Sequence, residues 1–76
     1  MIRLLFFGSL ADKTGSREVS LAAVADLDGL KSELKSKFPQ LDLNVVIISV
    51  NQEIVIGNAK ISPGDEIAFM PPFAGG

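Results

Sequence analysis

At 76 residues and a net charge of −2, the chain has room for one domain, with a core near the smallest that folds unaided. It contains no Cys and no His, which excludes disulfides, thiolate metal sites, a thiol nucleophile and the usual near-neutral general base. Charges of both signs are interspersed, leaving no basic stripe for nucleic acid, and every apolar run is far shorter than the about 20 residues that cross a membrane. Ile2 to Phe7 predicts a strand closed by Gly8-Ser9. The run is too short for a signal peptide and has no small-residue cleavage site behind it, so the expected location is the cytoplasm. A loop or single helical turn follows through Leu10–Thr14, punctuated by Gly15-Ser16. Arg17 to Leu21 alternates, with Val19 and Leu21 on one face, as a half-buried antiparallel strand does.

The period then changes. Leu27, Leu30, Leu34 and Phe38 fall at helical spacing, with Lys31, Glu33, Lys35 and Lys37 left for the opposite side. Asp26 is the expected N-cap and Pro39 the stop. This segment is the one convincing helix that the pattern offers. Val45 to Val50 is a β-branched run that predicts a central strand, and Asn51-Gln52 turns it into a short strand at Ile54–Ile56. Ser62-Pro63-Gly64-Asp65 has turn chemistry, and Glu66–Met70 is the last strand. The fold class is α+β: a mixed sheet of about five strands, with one main helix on one face, over residues 1–70. Residues 71–76 are an extended tail that ends Gly75-Gly76.

One helix covers one face of the sheet. Keeping Arg3 and Glu66 in water turns Ile2, Leu4, Phe6, Ile67 and Phe69 toward the helix. The third strand turns Val46, Ile48 and Val50 the same way and leaves Ile47 and Ser49 outside. Leu5, Phe7, Ile47, Ala68 and Met70 then gather on the outer face, a more apolar surface than a monomer needs, and are the candidate partner-docking residues.

The tail carries the candidate chemistry. Pro71 and Pro72 stiffen its exit, Phe73 has no core to join and is a candidate anchor, and Ala74 and Gly75 form a thread slim enough for a narrow channel. The Gly76 carboxylate, with an ordinary pKa of about 3.3–3.7, is ionised at neutral pH and a poor electrophile. To react it must first become an acyl-adenylate. No glycine-rich loop here fits a nucleotide phosphate, so activation needs a separate, ATP-consuming enzyme. Without Cys, any sulfur carried would reside on Gly76 itself, as a thiocarboxylate.

The opening Met1 to Phe7, the middle Val50-Asn51-Gln52 and the closing Gly64 to Gly76 together resemble the small subunit of molybdopterin synthase. The resemblance is tightest in Gly-Asp-Glu-aliphatic-Ala-Phe-x-Pro-Pro-x-x-Gly-Gly. It implies a ubiquitin-like β-grasp, with the first and last strands side by side and parallel. It also implies adenylation of Gly76 by an activating enzyme, thiocarboxylation, and insertion of the tail into the large synthase subunit. There the sulfur passes to a cyclic pyranopterin precursor in molybdenum cofactor synthesis. The chain alone would be non-catalytic, the sulfur-donating subunit of a two-protein enzyme. It would hold no bound cofactor or metal, and its partners would be the large subunit and the activating enzyme. One departure is Ala11-Asp12, where relatives often carry a basic residue. The same fold and double glycine also suit a carrier for thiamine or another thiolated product, or a ubiquitin-like modifier of lysines. A purely structural binding module would leave the double glycine unexplained.

Overall fold

The computed structural model describes residues 1–72 of the chain. Strand β1 (Ile2–Phe6) is followed by helix α1 (Ser9–Thr14), strand β2 (Glu18–Leu21) and helix α2 (Leu27–Lys37). Strands β3 (Ile47–Val50), β4 (Glu53–Val55) and β5 (Glu66–Met70) complete a sheet ordered β2-β1-β5-β3-β4. β1 and β5 are parallel at its centre, and the other pairs are antiparallel.

Alternation decides which side chains enter the core. Ile2, Leu4 and Phe6 of β1, and Ile67 and Phe69 of β5, are fully buried under Leu27, Leu30 and Leu34 of α2. Phe6 stacks on Phe69 with centroids 5.2 Å apart and meets Phe38 edge-on at 6.1 Å. Asp26 caps α2 as expected, accepting from the Gly29 N–H at 2.9 Å. A second cap comes from a distant segment, since Asn58 accepts from the Asp28 N–H at 2.9 Å and its amide donates to Asp26. Glycine at position 29 has a local reason: a Cβ there would stand 3.2 Å from the capping oxygen of Asp26.

Two expectations need correction. Residues 9–14 form a helix in their own right, with Leu10 buried, so α2 is not alone. The third strand starts at Ile47, two residues later than its β-branched run, because Ile47 lies opposite Met70, where β5 ends. Val45 has passed beyond that partner and is 53% exposed, whereas Val46 is half-buried against the core.

Candidate functional site

The parallel pair β1–β5 builds the outer face. Its register sets Leu5 beside Ala68 and Phe6 beside Phe69, and the Phe7 N–H donates to the Phe69 carbonyl at 3.0 Å, carrying Phe7 up beside Met70. Met70 in turn lies opposite Ile47. Phe7, Met70 and Ile47 therefore make an apolar row across three adjacent strands, at the end of the sheet where the chain leaves β5. Phe7 is 47% exposed, and Leu5, Ile47 and Met70 are half-buried.

The next row inward behaves differently. Ala68 and Ser49, opposite one another, belong to the outer face by register but are buried. They are short side chains between taller neighbours, so the water-exposed outer surface is supplied by the residues around them. Ala68 thus forms the floor of the candidate docking face, and a partner would meet its surroundings.

Two residues on this face were not singled out from sequence. Ile54 lies opposite Ser49 and is 69% exposed, and Ile56 is 96% exposed. The signal was present in the parity of Ile54-Val55-Ile56: with Val55 half-buried against the core, the two isoleucines face away from it.

Polar residues close the opposite end of the face. Arg3 is ion-paired with Glu66 and stands 3.8 Å from Glu18. The hydrogen bond and charge of Glu66, aided by Glu18, hold the Arg3 guanidinium even more firmly protonated than usual. The face therefore grades from charged, at the start of β1, to apolar, at the tail exit.

The exit itself is shaped by Gly8 and Pro71. Gly8 adopts φ +57° and ψ −135°, a conformation that L side chains rarely adopt, and an added Cβ would stand 3.1 Å from Pro71 Cγ. Pro71 is buried there, while Pro72 is exposed. A groove of about 420 Å³ opens beside this contact, with Leu5, Phe7 and Ala11 meeting Asp12 and Arg17 on its walls. Phe73, Ala74, Gly75 and Gly76, which carry the threading and chemical expectations, lie outside the described residues. Among the described residues no cluster of acidic side chains could hold a metal ion, and no helix is long and apolar enough to cross a membrane.

A model of the ThiS family matches residues 4–76. The molybdopterin synthase sulfur carrier subunit of Mycobacterium tuberculosis is 34% identical over 80 residues, covering 99% of this chain and 96% of that protein. A solved complex of subunits 1 and 2 of the molybdopterin-converting factor from Helicobacter pylori contains a chain that superposes with a TM-score of 0.75. It is 27% identical, with 99% of this chain and 97% of that chain covered. The small archaeal modifier protein 1 of Haloferax volcanii superposes with a TM-score of 0.77 at 26% identity, over 93% of this chain and 95% of that one. These neighbours share the ubiquitin-like β-grasp architecture described above.

Proposed function

The chain belongs to the ThiS family, and from its likeness to molybdopterin synthase sulfur carrier subunits we propose that it is the sulfur carrier subunit of a molybdopterin synthase, working in the cytoplasm. One observation carries the reading on the structural side. The parallel pairing of β1 with β5 brings exposed Phe7 and half-buried Met70 and Ile47 to the end of the sheet from which Pro71-Pro72-Phe73-Ala74-Gly75-Gly76 departs. A partner that receives the tail therefore has an apolar face beside the exit on which to seat itself.

In this reading the body, residues 1–70, positions the tail and the tail performs the transfer. The Gly76 carboxylate is adenylated by a separate activating enzyme at the expense of ATP. A sulfide-level sulfur nucleophile then attacks the acyl carbon, the acyl–phosphate bond breaks and AMP leaves, giving a thiocarboxylate. With Phe73 as anchor and Ala74 and Gly75 as the narrow thread, the tail enters the large subunit, and the sulfur passes to a cyclic pyranopterin precursor. Phe7, Leu5, Ile47 and Met70 form the docking face over the floor made by Ala68, with Ile54 extending it toward the sheet edge. The chain holds no resident cofactor or metal of its own and contributes no acid–base group to the chemistry.

The test is intact-mass spectrometry of the chain after incubation with an activating enzyme, ATP and a sulfur donor. Replacement of one terminal oxygen by sulfur is the expected result. Recovery of unmodified acid alone would overturn the reading. A second reading, as a protein modifier, is favoured by the likeness to the small archaeal modifier protein. It predicts covalent conjugates joining Gly76 to lysines of other proteins in the same cells, detectable with an N-terminal tag.

A further inference from the structure

The two edges of the sheet are built in opposite ways. At the β2 edge, Glu18 and Ser20 are exposed and polar, and Arg17 stands just before them, which is how a soluble protein discourages pairing with another strand. The β4 edge has no Pro, no Lys and no bulge, and Ile54, with Ile56 just beyond its end, is turned to the outer face. Glu53 is the only charged residue of that strand.

The backbone of this edge is also open. The Asn51 N–H donates to the Glu66 carbonyl at 2.8 Å, so Asn51, and two residues earlier Ser49, direct their backbone groups toward β5. Ser49 lies opposite Ile54, which makes that pair a non-hydrogen-bonded one across β3–β4. The N–H and C=O of Ile54 therefore point out of the sheet, and so does the N–H of Ile56, which follows the inward-facing carbonyl of Val55 just past the end of β4. Behind them, on the helix side, lies a groove of about 470 Å³ whose walls include Leu27, Leu43, Val55, Gly57 and Lys31. Lys31 makes no ion pair among the described residues. A Cβ added at Gly57 would meet nothing within 4 Å, so this end of the groove has room.

We propose that the occupant of the β4 edge is a second copy of this chain, paired antiparallel with its two-fold axis at Val55. In this register the Ile56 N–H of each copy donates to the Ile54 carbonyl of the other, so the contact is made twice. The two isoleucines form cross-strand pairs on the outer face. Glu53, on the helix side, comes to rest beside Gly57 of the second copy, where the unpaired Lys31 of that copy supplies the opposite charge. Because the contact is isologous, the Glu53–Lys31 complement occurs twice. A generic peptide would supply the strand hydrogen bonds but has no reason to carry this complement. The pairing stands independently of whether Gly76 carries sulfur.

So short a contact makes a weak dimer, well below a standard interface. Sedimentation equilibrium between about 10 μM and about 1 mM is therefore expected to show the mean mass climbing from the 8.1 kDa of one chain toward twice that value. Ile56→Lys, on a side chain already in water, is expected to abolish the rise while leaving the melting temperature of the monomer unchanged. Lys31→Glu is expected to weaken association about tenfold, and combining it with Glu53→Lys to restore it. A mass that stays at one chain across the range overturns the proposal. So does a dimer that persists undiminished in Ile56→Lys, which would place the contact on another face. A wild-type chain that remains monomeric, but whose Ile56→Lys variant no longer binds the large subunit, would give the edge to that partner instead.

Discussion

The side-chain amide of Asn51 donates to one carboxylate oxygen of Asp65 at 3.0 Å, and the other oxygen accepts from the Ser62 N–H at 2.8 Å. The Asn51 carbonyl oxygen accepts in turn from the Glu66 N–H at 3.1 Å. Two residues from different turns thus fasten the β3–β4 hairpin to the start of β5. Asn51 is able to serve because it sits at φ 51°, a left-handed conformation that Asn tolerates better than most residues. The Asn-Gln and Gly-Asp-Glu pieces that marked the family resemblance are therefore structural fittings.

Asn51→Ala removes both side-chain bonds of this brace and leaves a Cβ-bearing residue without local support at positive φ. It is expected to destabilise the fold by about 1–2 kcal/mol in urea titration, with an unchanged slope.

Gln52 follows at φ 72°, completing a two-residue turn of the type that prefers glycine at this position. Gln52→Gly relieves the left-handed penalty, which exceeds the entropy that glycine adds to the unfolded chain. An increase in stability of about 0.5–1 kcal/mol is expected by the same titration.

Asp26 and Asp65 both hold their carboxyls below the ordinary aspartate range. Asp26 is held chiefly by the Gly29 N–H and then by Asn58, and Asp65 chiefly by the Ser62 N–H and then by Asn51. A depressed folded-state pKa means that the unfolded chain binds protons first as pH falls. The stabilisation is therefore complete well above the unfolded value of about 3.9 and is lost as pH drops through the lower folded values. Melting temperature is expected to fall as pH drops below about 4, and the fall to be shallower in Asp65→Asn.

Phe7→Ala takes away a side chain that is half in water and beside the tail exit. Binding to the large subunit, measured by calorimetry, is expected to weaken about 10- to 100-fold, while folding stability changes by less than about 1 kcal/mol. A larger effect on folding than on binding would place Phe7 in the core.

Deleting Gly76, or adding one residue after it, is expected to abolish sulfur transfer in a single-turnover assay with the large subunit. The melting temperature should move by no more than about 2 °C, because among the described residues the hydrophobic core runs from Ile2 to Phe69.

Strand facing was legible because single charged residues decided it. Arg3 and Glu66 set the parity of the two central strands, and the structure buries Ile2, Leu4, Phe6, Ile67 and Phe69 accordingly. Asp26 and Pro39 bracketed α2 for equally local reasons. What escaped the reading depended on partners distant in the chain. A six-residue helix is too short to display a period, so α1 stayed ambiguous with a turn. The start of β3 was set by the end of β5, not by β-branching at Val45. Ala68 and Ser49 are buried on an open face because of their neighbours' height, which alternation does not encode. The strand order itself came from the family resemblance, since no periodicity distinguishes a parallel centre from a meander.

Arg3 and Glu66 face each other across the central pair although 63 residues separate them, and this spacing has a kinetic consequence. The hairpins β1–β2 and β3–β4, and the turns of α2, close through local contacts, but the strand that joins the two halves follows both of them in the chain. Until β5 emerges, β1 and β3 each present a bare edge lined by Leu and Ile. Closing so long a loop slows the final step relative to the local ones and makes it the point of greatest exposure to aggregation. Slowing translation between β1 and β5 should therefore lower soluble yield, whereas supplying β5 early, by circular permutation ahead of β1, should raise the folding rate.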